Sequence, residues 1–411
     1  MSSTEVSLSQ RWRLLGLNAL VFLICYQGAS HYAASVRTYS WAMPLDARIP
    51  FVPWMLLPYM TLGVVFLSIF VCNKNEQLLR TLSHTTLFAT VCAGVCFVWF
   101  PAKFSVQAPI TDLALLSQLQ VAMLSLDRPF NQLPSLHVAY AVILISVLSK
   151  GIKNRWRRMA LGFWLGLSAV STLFVYQHHV LDCVGGLALG FLSIYIIRAC
   201  MSSTVDPPVA FYYFVASICC FILGLLFLPR GLTLYLCASL CLVSLAYFRQ
   251  DRNFLHKKNG CHPWWIRFIY APYLMGYWVT WRLMRSWQRP HRKDLFVRHT
   301  AQLWAGRCLT AKEFSSLPSD CTVIDLSPEL REGLARQSSH YIHIPILDIV
   351  TIPRSALDEC MEIIHSAITA QNVVYVHCAM GFSRSQTIAK HYLENYLNQH
   401  PDEDDDLHLP N

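Results

Sequence analysis

Long apolar runs separated by short polar gaps fill the first 250 residues, whereas past residue 291 the apolar runs shrink to four or five positions. The long runs lie at roughly 14–34, 51–72, 84–101, 134–150, 158–177, 180–199, 209–229 and 231–248. Each approaches the ~20 apolar residues that a helix needs to cross ~30 Å of hydrocarbon, so the pattern predicts eight membrane spans. Trp264–Trp287 is different: it is rich in Trp, Tyr, Phe and Met, but Arg267, Arg282 and Arg285 interrupt it. That mixture predicts an amphipathic helix lying in the membrane interface, not a ninth span.

Past residue 291, Leu303-Trp304, Thr322–Leu326, Tyr341–Ile344 and Val373–Val376 read as strands. Ser327-Pro328-Glu329 reads as a helix start, Ser355 to about Ala370 as an amphipathic helix, and Ser385–Asn398 as a last helix. Strands alternating with helices predict a mostly parallel sheet with its site at the strand ends. Asp402–Asp406 gives an acidic, disordered tail. The expected fold is an α-helical polytopic membrane bundle, six core helices plus about two extra spans, followed by a small cytosolic α/β domain. The expected boundaries are 1–250 for the transmembrane part (core about 50–200), 251–293 for a basic aromatic interfacial linker, 294–400 for the α/β domain and 401–411 for the tail.

Composition agrees with a membrane protein: 54% of residues are hydrophobic and 14% charged, against about 25% charged in soluble domains. With the N-terminus inside, inner gaps hold fourteen Lys and Arg, outer gaps five (Arg37, Arg48, Lys103, Arg128 and Arg230). The net charge of +9 therefore belongs to inner loops, and no nucleic-acid partner is expected. Most of the 15 cysteines, such as Cys219-Cys220, lie in apolar runs without disulfide or metal-ligand spacing. The first run lies behind Arg11 and Arg13 and reads as a retained anchor.

The strand Val373–Val376 runs into His377-Cys378-Ala379-Met380-Gly381-Phe382-Ser383-Arg384-Ser385. A tight loop aimed at a helix start offers backbone N–H groups to an anion. The same field favours the Cys378 thiolate, the form that attacks phosphorus. Arg384 offers a planar fork to two phosphate oxygens. Gly381 permits the turn, Ser383 lines it, and Ser385 can bond the departing sulfur. A thiolate nucleophile requires a reducing compartment, which agrees with the inward placement of this domain.

His-Cys-x5-Arg-Ser on a strand-to-helix turn resembles the signature of dual-specificity and tyrosine protein phosphatases. The resemblance implies a phosphocysteine intermediate and a general acid on a preceding loop; Asp348, about thirty residues before Cys378, occupies that place. His377 tunes the loop.

Polar patches also interrupt the apolar runs at the outer face: Lys103, Asn131 to His137, and Ser171-Thr172 with His178-His179-Val180-Leu181-Asp182. His178 and Asp182 are i and i+4, so on a helical turn Asp182 would hold one imidazole nitrogen and free the other for attack. His137 would protonate the leaving oxygen, while Ser135 and Lys103 would bind phosphate. Asn131 holds a turn and His179 only packs. No metal or cofactor is required.

These patches resemble the type 2 phosphatidic-acid phosphatase superfamily, which carries Lys-x6-Arg-Pro, Pro-Ser-Gly-His and Ser-Arg-x5-His-x3-Asp. Pro134-Ser135-Leu136-His137 has Leu for Gly, and Ser171-Thr172-x5-His178-x3-Asp182 has Thr for Arg. Ile110 stands where the first arginine is expected, and Arg128, before Pro129, is its candidate substitute. The departures resemble a branch that includes inositol phosphorylceramide synthases, which transfer headgroups instead of releasing phosphate.

Together the resemblances imply a bacterial inner-membrane (plasma-membrane) protein that fuses two phosphatase domains. The outer site would act on a lipid phosphate through a phosphohistidine, and the inner site on a cytosolic phosphoprotein or other phosphomonoester. Two alternatives stay open: a phospho-headgroup transferase at the outer site, or a phosphate-binding sensor or scaffold with degenerate sites.

Overall fold

The computed structural model describes residues 6–104, 106, 108–109, 114–126, 128–201, 207–291, 296–332 and 340–399. Ile110 and the acidic tail, both invoked above, lie outside the described residues. The chain divides into two units, one holding residues 1–204 and 215–237, the other 205–214 and 238–411.

In the first unit, α1 (Leu8–Phe22) passes through a π-helical turn, Leu23–Gln27, into α2 (Gly28–Ser35). Then come α3 (Leu56–Cys72), α4 (Glu76–Trp99), α5 (Ala114–Leu126), α6 (Leu136–Leu148), α7 (Arg155–Phe174) and α8 (Val180–Met201). The helices α9 (Pro207–Phe227) and α10 (Arg230–Phe248) contribute to both units. Short polar residues punctuate these runs. Asn75 and Asn154 cap α4 and α7, accepting from the backbone N–H of Leu78 and Trp156 at 2.9 Å each. Among the described residues, six helical stretches are long and apolar enough to cross a membrane, while α6 is a shorter apolar helix and α7 begins with a basic turn. Val64, Phe163, Phe191 and Leu234 remain exposed on outer faces, as expected where a bundle meets lipid.

Each of the eight predicted spans corresponds to a helix, with shifted ends. The pattern did not predict α5. Ser117, Gln118 and Gln120 break its apolar run, yet Leu116 and Met123 are buried against Leu56, Tyr59 and Val175.

In the second unit, α11 (Trp264–Ile269) and α12 (Ala271–His291) precede a five-stranded sheet. Its strands are β1 (Phe296–Arg298), β2 (Leu303–Arg307), β3 (Thr322–Asp325), β4 (Tyr341–His343) and β5 (Val374–Cys378), in the order β1-β2-β5-β3-β4. All pairings are parallel except β1–β2, so the mostly parallel sheet is as expected. The strands β2, β3 and β5 are buried along their whole length, which explains their unalternating apolar runs. The connecting helices are α13 (Ala311–Phe314), α14 (Arg354–Thr369) and α15 (Arg384–Gln399). Ala356, Cys360, Ile364 and Ala367 form the buried stripe of α14.

One expectation fails. Ser327-Pro328-Glu329 does not start a helix among the described residues; 327–332 is a bent segment. Glu329 instead turns inward and is buried by an ion pair with Arg384.

Candidate active sites

The central strand β5 delivers Cys378 to its C-terminal end, and α15 starts six residues later at Arg384. Gly381 lies between them at φ +78°, the left-handed region that favours glycine. A Cβ there would meet the Arg307 backbone nitrogen at 2.7 Å and the Gly306 carbonyl carbon at 2.8 Å. The Gly381 N–H donates to the Cys378 sulfur at 3.2 Å. Ser385 Oγ lies 3.5 Å from that sulfur and donates to the Gly306 carbonyl at 3.0 Å. A backbone donor and a helix N-terminus both stabilise negative charge at this sulfur.

Arg384 is buried, and one of its Nη atoms is committed to Glu329, at 3.1 and 3.2 Å, and to the Ile346 carbonyl at 2.7 Å. Its Nε lies 3.3 Å from Asp348 Oδ1 without hydrogen-bond geometry. Burial alone would lower the Arg384 pKa; the charges of Glu329, Asp348 and Cys378 outweigh it and hold the guanidinium charged. Burial raises the Glu329 carboxyl, against the pull of Arg384. Asp348 thus lies beside Arg384 at the end of the sheet that carries Cys378. Its other oxygen accepts from Tyr277 of α12 at 2.9 Å. Burial first, then the Glu329 charge, pushes the Tyr277 phenol far up, so it stays an O–H donor. Ser383 is exposed at the loop's rim.

Behind the loop, His377 is buried between Asp325 (3.8 Å) and Glu332 (3.4 Å), beneath the site and not in it. Lys257 and Tyr341 both donate to Asp325 Oδ2. The Lys257 and histidine charges overcome burial and hold the Asp325 carboxyl low. Cys308, Glu332 and His377 bring three metal-donor atoms within 4.8 Å of one another.

In the first unit, Ser135 caps α6, its side chain accepting from Val138 N–H at 3.4 Å. Its own N–H donates to the Asp182 carbonyl at 2.9 Å, tying the start of α6 to the start of α8. Close packing of these helices needs Gly186 and Gly190, spaced four apart: a Cβ would meet Val138 or Val142 Cβ at 2.9 Å. His137 thus comes to the same place as His178. Its Nε2 lies 3.1 Å from Ser168 Oγ and its ring stacks on Tyr59 at 4.3 Å.

His178 and Asp182 do not share a helical turn, contrary to expectation. The helix α8 begins at Val180, so Asp182 lies in its first turn. There its Oδ2 accepts from the His179 N–H at 2.8 Å, satisfying an orphan helix donor. His178 Nδ1 lies 3.7 Å from that oxygen, beyond hydrogen-bond range, and is buried without a partner, as is Asp182 Oδ1. Asp46 completes the cap, accepting from Val180 N–H at 2.9 Å, and comes within 3.4 Å of His179 Nδ1. Ser171 Oγ is spent on the Ser168 carbonyl at 2.6 Å and Thr172 Oγ1 on the Ala169 carbonyl at 2.8 Å. Lys103 and Arg128 are exposed; their segments meet where Phe104 N–H donates to the Pro129 carbonyl at 2.8 Å. Asn131 does hold a turn, at φ 61°, and donates to the Tyr26 carbonyl at 2.6 Å. His179 packs, stacked on Phe104 at 4.4 Å.

A cavity of about 530 Å³ runs from this point between α1, α3 and α6. Leu15, Phe22, Phe66 and Leu136 are among its apolar walls, and both His137 and His178 line it.

A family model of the PAP2 superfamily matches residues 52–196, and one of the dual-specificity phosphatase catalytic domain matches residues 317–403. One chain carries both domains. No curated protein and no solved structure matches it. Both are phosphatase families, so the chain is a phosphoric monoester hydrolase, and its apolar helices make it a membrane protein. The PAP2 match includes Lys103, Ser135, His137, His178 and Asp182; the dual-specificity match includes Asp348, Cys378 and Arg384.

Sequence reasoning missed Asp46, Tyr59 and Ser168 in the first unit, and Tyr277, Glu329 and Glu332 in the second. Only Ser168 carried a signal, three residues before Ser171 on the same helix face. The others arrive from distant segments.

Proposed function

We propose a bifunctional membrane phosphatase. In the dual-specificity domain, the Cys378 thiolate attacks phosphorus, the P–O ester bond breaks, and Asp348 gives its proton to the departing oxygen. Water then attacks the phosphocysteine, Asp348 takes back a proton, and inorganic phosphate leaves with the thiolate restored. Arg384, the loop N–H groups and the α15 N-terminus neutralise the phosphate oxygens, and Ser385 supports the leaving sulfur. The observation that carries this reading is the Gly381 N–H aimed at Sγ beside the buried Arg384.

In the PAP2 domain, His178 is the nucleophile. Asp182 orients it once a small side-chain rotation closes their 3.7 Å gap, and His137 protonates the leaving oxygen. Lys103 and Arg128, with Ser135 and Ser171, hold the phosphate. The substrate is a lipid phosphate monoester, and the apolar cavity ending on two histidines carries that reading. The bias of basic residues supports a cytosolic Cys378 domain on an inner (plasma) membrane, with the His178 site at the outer face.

Detergent-purified chain is expected to release phosphate from an aryl phosphate and from phosphatidic acid. Cys378→Ser should abolish the first and His178→Ala the larger part of the second. If Cys378→Ser leaves aryl-phosphate hydrolysis unchanged, the inner assignment is wrong. Thr172, which supplies no cation to the PAP2 site, favours headgroup transfer as the second reading. Labelled phospholipid with an acceptor lipid separates the two: free phosphate marks hydrolysis, a new labelled lipid marks transfer.

A further inference from the structure

The helix α12 does two things at once. Its face Tyr273, Tyr277, Trp281 and Arg285, spaced every four residues, lies against the phosphatase fold. Tyr273 is buried, Tyr277 donates to Asp348, Trp281 Nε1 donates to the Cys308 carbonyl at 3.0 Å, and Arg285 reaches Glu313 at 3.3 Å. Tyr277 and Trp281 also pack beside Ala379 and Met380 of the phosphate loop. These residues precede the matched catalytic region, 317–403.

The other side of the same segment is apolar and largely exposed. Met275 is 63% exposed, Trp278 46% and Leu283 63%, and on α11 Trp264 is 80% and Phe268 67% exposed. Helix geometry sets Met275 and Trp278 well away from Tyr277 around the axis. Arg267 and Arg282 lie among them, Arg282 over the Trp278 ring at 4.8 Å. Between residues 249 and 291 Asp251 is the sole acidic residue, against Arg249, Arg252, Lys258, Arg267, Arg282 and others. Aromatic rings and arginines on a helix a short step beyond the apolar α10 match the interface of an anionic bilayer. The mouth of the Cys378 site is apolar too: Phe382 of the loop is 50% exposed. Ile349, beside Asp348, is 78% exposed and held at φ 59°, strained for a β-branched residue.

We infer that α11–α12 rests on the bilayer while forming the wall of the Cys378 site, and that this site takes a phosphomonoester carried on a membrane lipid. The inference rests on the Cys378 reading above. The balanced reaction is lipid phosphate plus water to dephosphorylated lipid and inorganic phosphate. Tyr277 is a positioning residue in it, holding Asp348 from the membrane-side helix.

The test uses the full chain in nanodiscs of phosphatidylcholine and phosphatidylglycerol. These are doped with phosphatidic acid or with phosphatidylinositol 4-phosphate, which differ in how far the phosphate stands from the glycerol. Activity of this site is the difference between the chain and its Cys378→Ser variant. Release from at least one lipid should exceed release from a soluble phosphotyrosine peptide by about tenfold in kcat/KM. Replacing Trp278→Ser together with Leu283→Ser should lower the lipid rate about tenfold and spare a soluble aryl phosphate. Trp278→p-benzoylphenylalanine should crosslink to an alkyne phosphatidylcholine under light. Preference for the phosphopeptide, a lipid rate indifferent to the double variant, or no lipid adduct overturns the inference while Cys378-dependent aryl hydrolysis keeps the wider reading. Aryl hydrolysis that does not depend on Cys378 takes down both.

Discussion

At the scale of single residues, the turn of the Cys378 loop depends on having a glycine at position 381. A side chain there meets backbone atoms of β2, which cannot rotate away, and the positive φ adds ~1–3 kcal/mol of strain. Gly381→Ala should therefore lower kcat for aryl phosphate by roughly ten- to a hundredfold, because the N–H on the sulfur moves, while the fold persists. Near-wild-type kinetics would mean that the loop does not need this turn. Gly381 was legible because strand, nucleophile, turn and arginine follow one another within thirteen residues of Val373. Glu329 and Tyr277 were not. They stand 55 and 71 residues from the side chains they bond, Arg384 and Asp348, and nothing local marks a carboxylate destined for burial. Ser-Pro-Glu resembles a helix start because the same short polar residues serve bends and caps alike.

At the scale of elements, the contact between α6 and α8 determines whether His137 meets His178. Gly186→Val forces the helices apart, an overpacking cost of ~1–3 kcal/mol, and should lower lipid-phosphate turnover about tenfold with aryl-phosphate turnover unchanged. Equal loss of both activities would indicate general misfolding. A second element-level test is electrostatic. Glu313 closes a capping box with Thr310 and accepts both Nη atoms of Arg307 at 3.0 and 3.1 Å. Burial would raise its carboxyl, but the Arg307 bonds and Thr310 prevail and lower it from 4.5 to about 2. The depressed folded value adds stability that is fully present above 4.5 and is lost as pH falls toward 2. Glu313→Gln should flatten that acid limb in a fluorescence melt of the nanodisc-held chain; an unchanged limb would refute the pairing. The spans were readable at this scale because twenty apolar residues in a row have few other uses. Polar interruptions hid α5. The edge strand β1 was hidden by its length, three residues, too short to show alternation.

At the scale of the whole molecule, one polypeptide joins two phosphatase domains, and the proposal gives them the same class of reaction with different nucleophiles. The His178 site draws on an apolar cavity and the Cys378 site on a helix-capped anion loop. The family matches cover Ser135, His137, His178, Asp182, Asp348, Cys378 and Arg384 but not α12, whose contact with Asp348 is visible only in three dimensions. The most direct check is rapid-quench mass spectrometry of the full chain during turnover. The account predicts phosphate on Cys378 with an aryl phosphate and on His178 with phosphatidic acid, each absent from its Cys378→Ser or His178→Ala variant. A working enzyme that carries phosphate on neither side chain would contradict it.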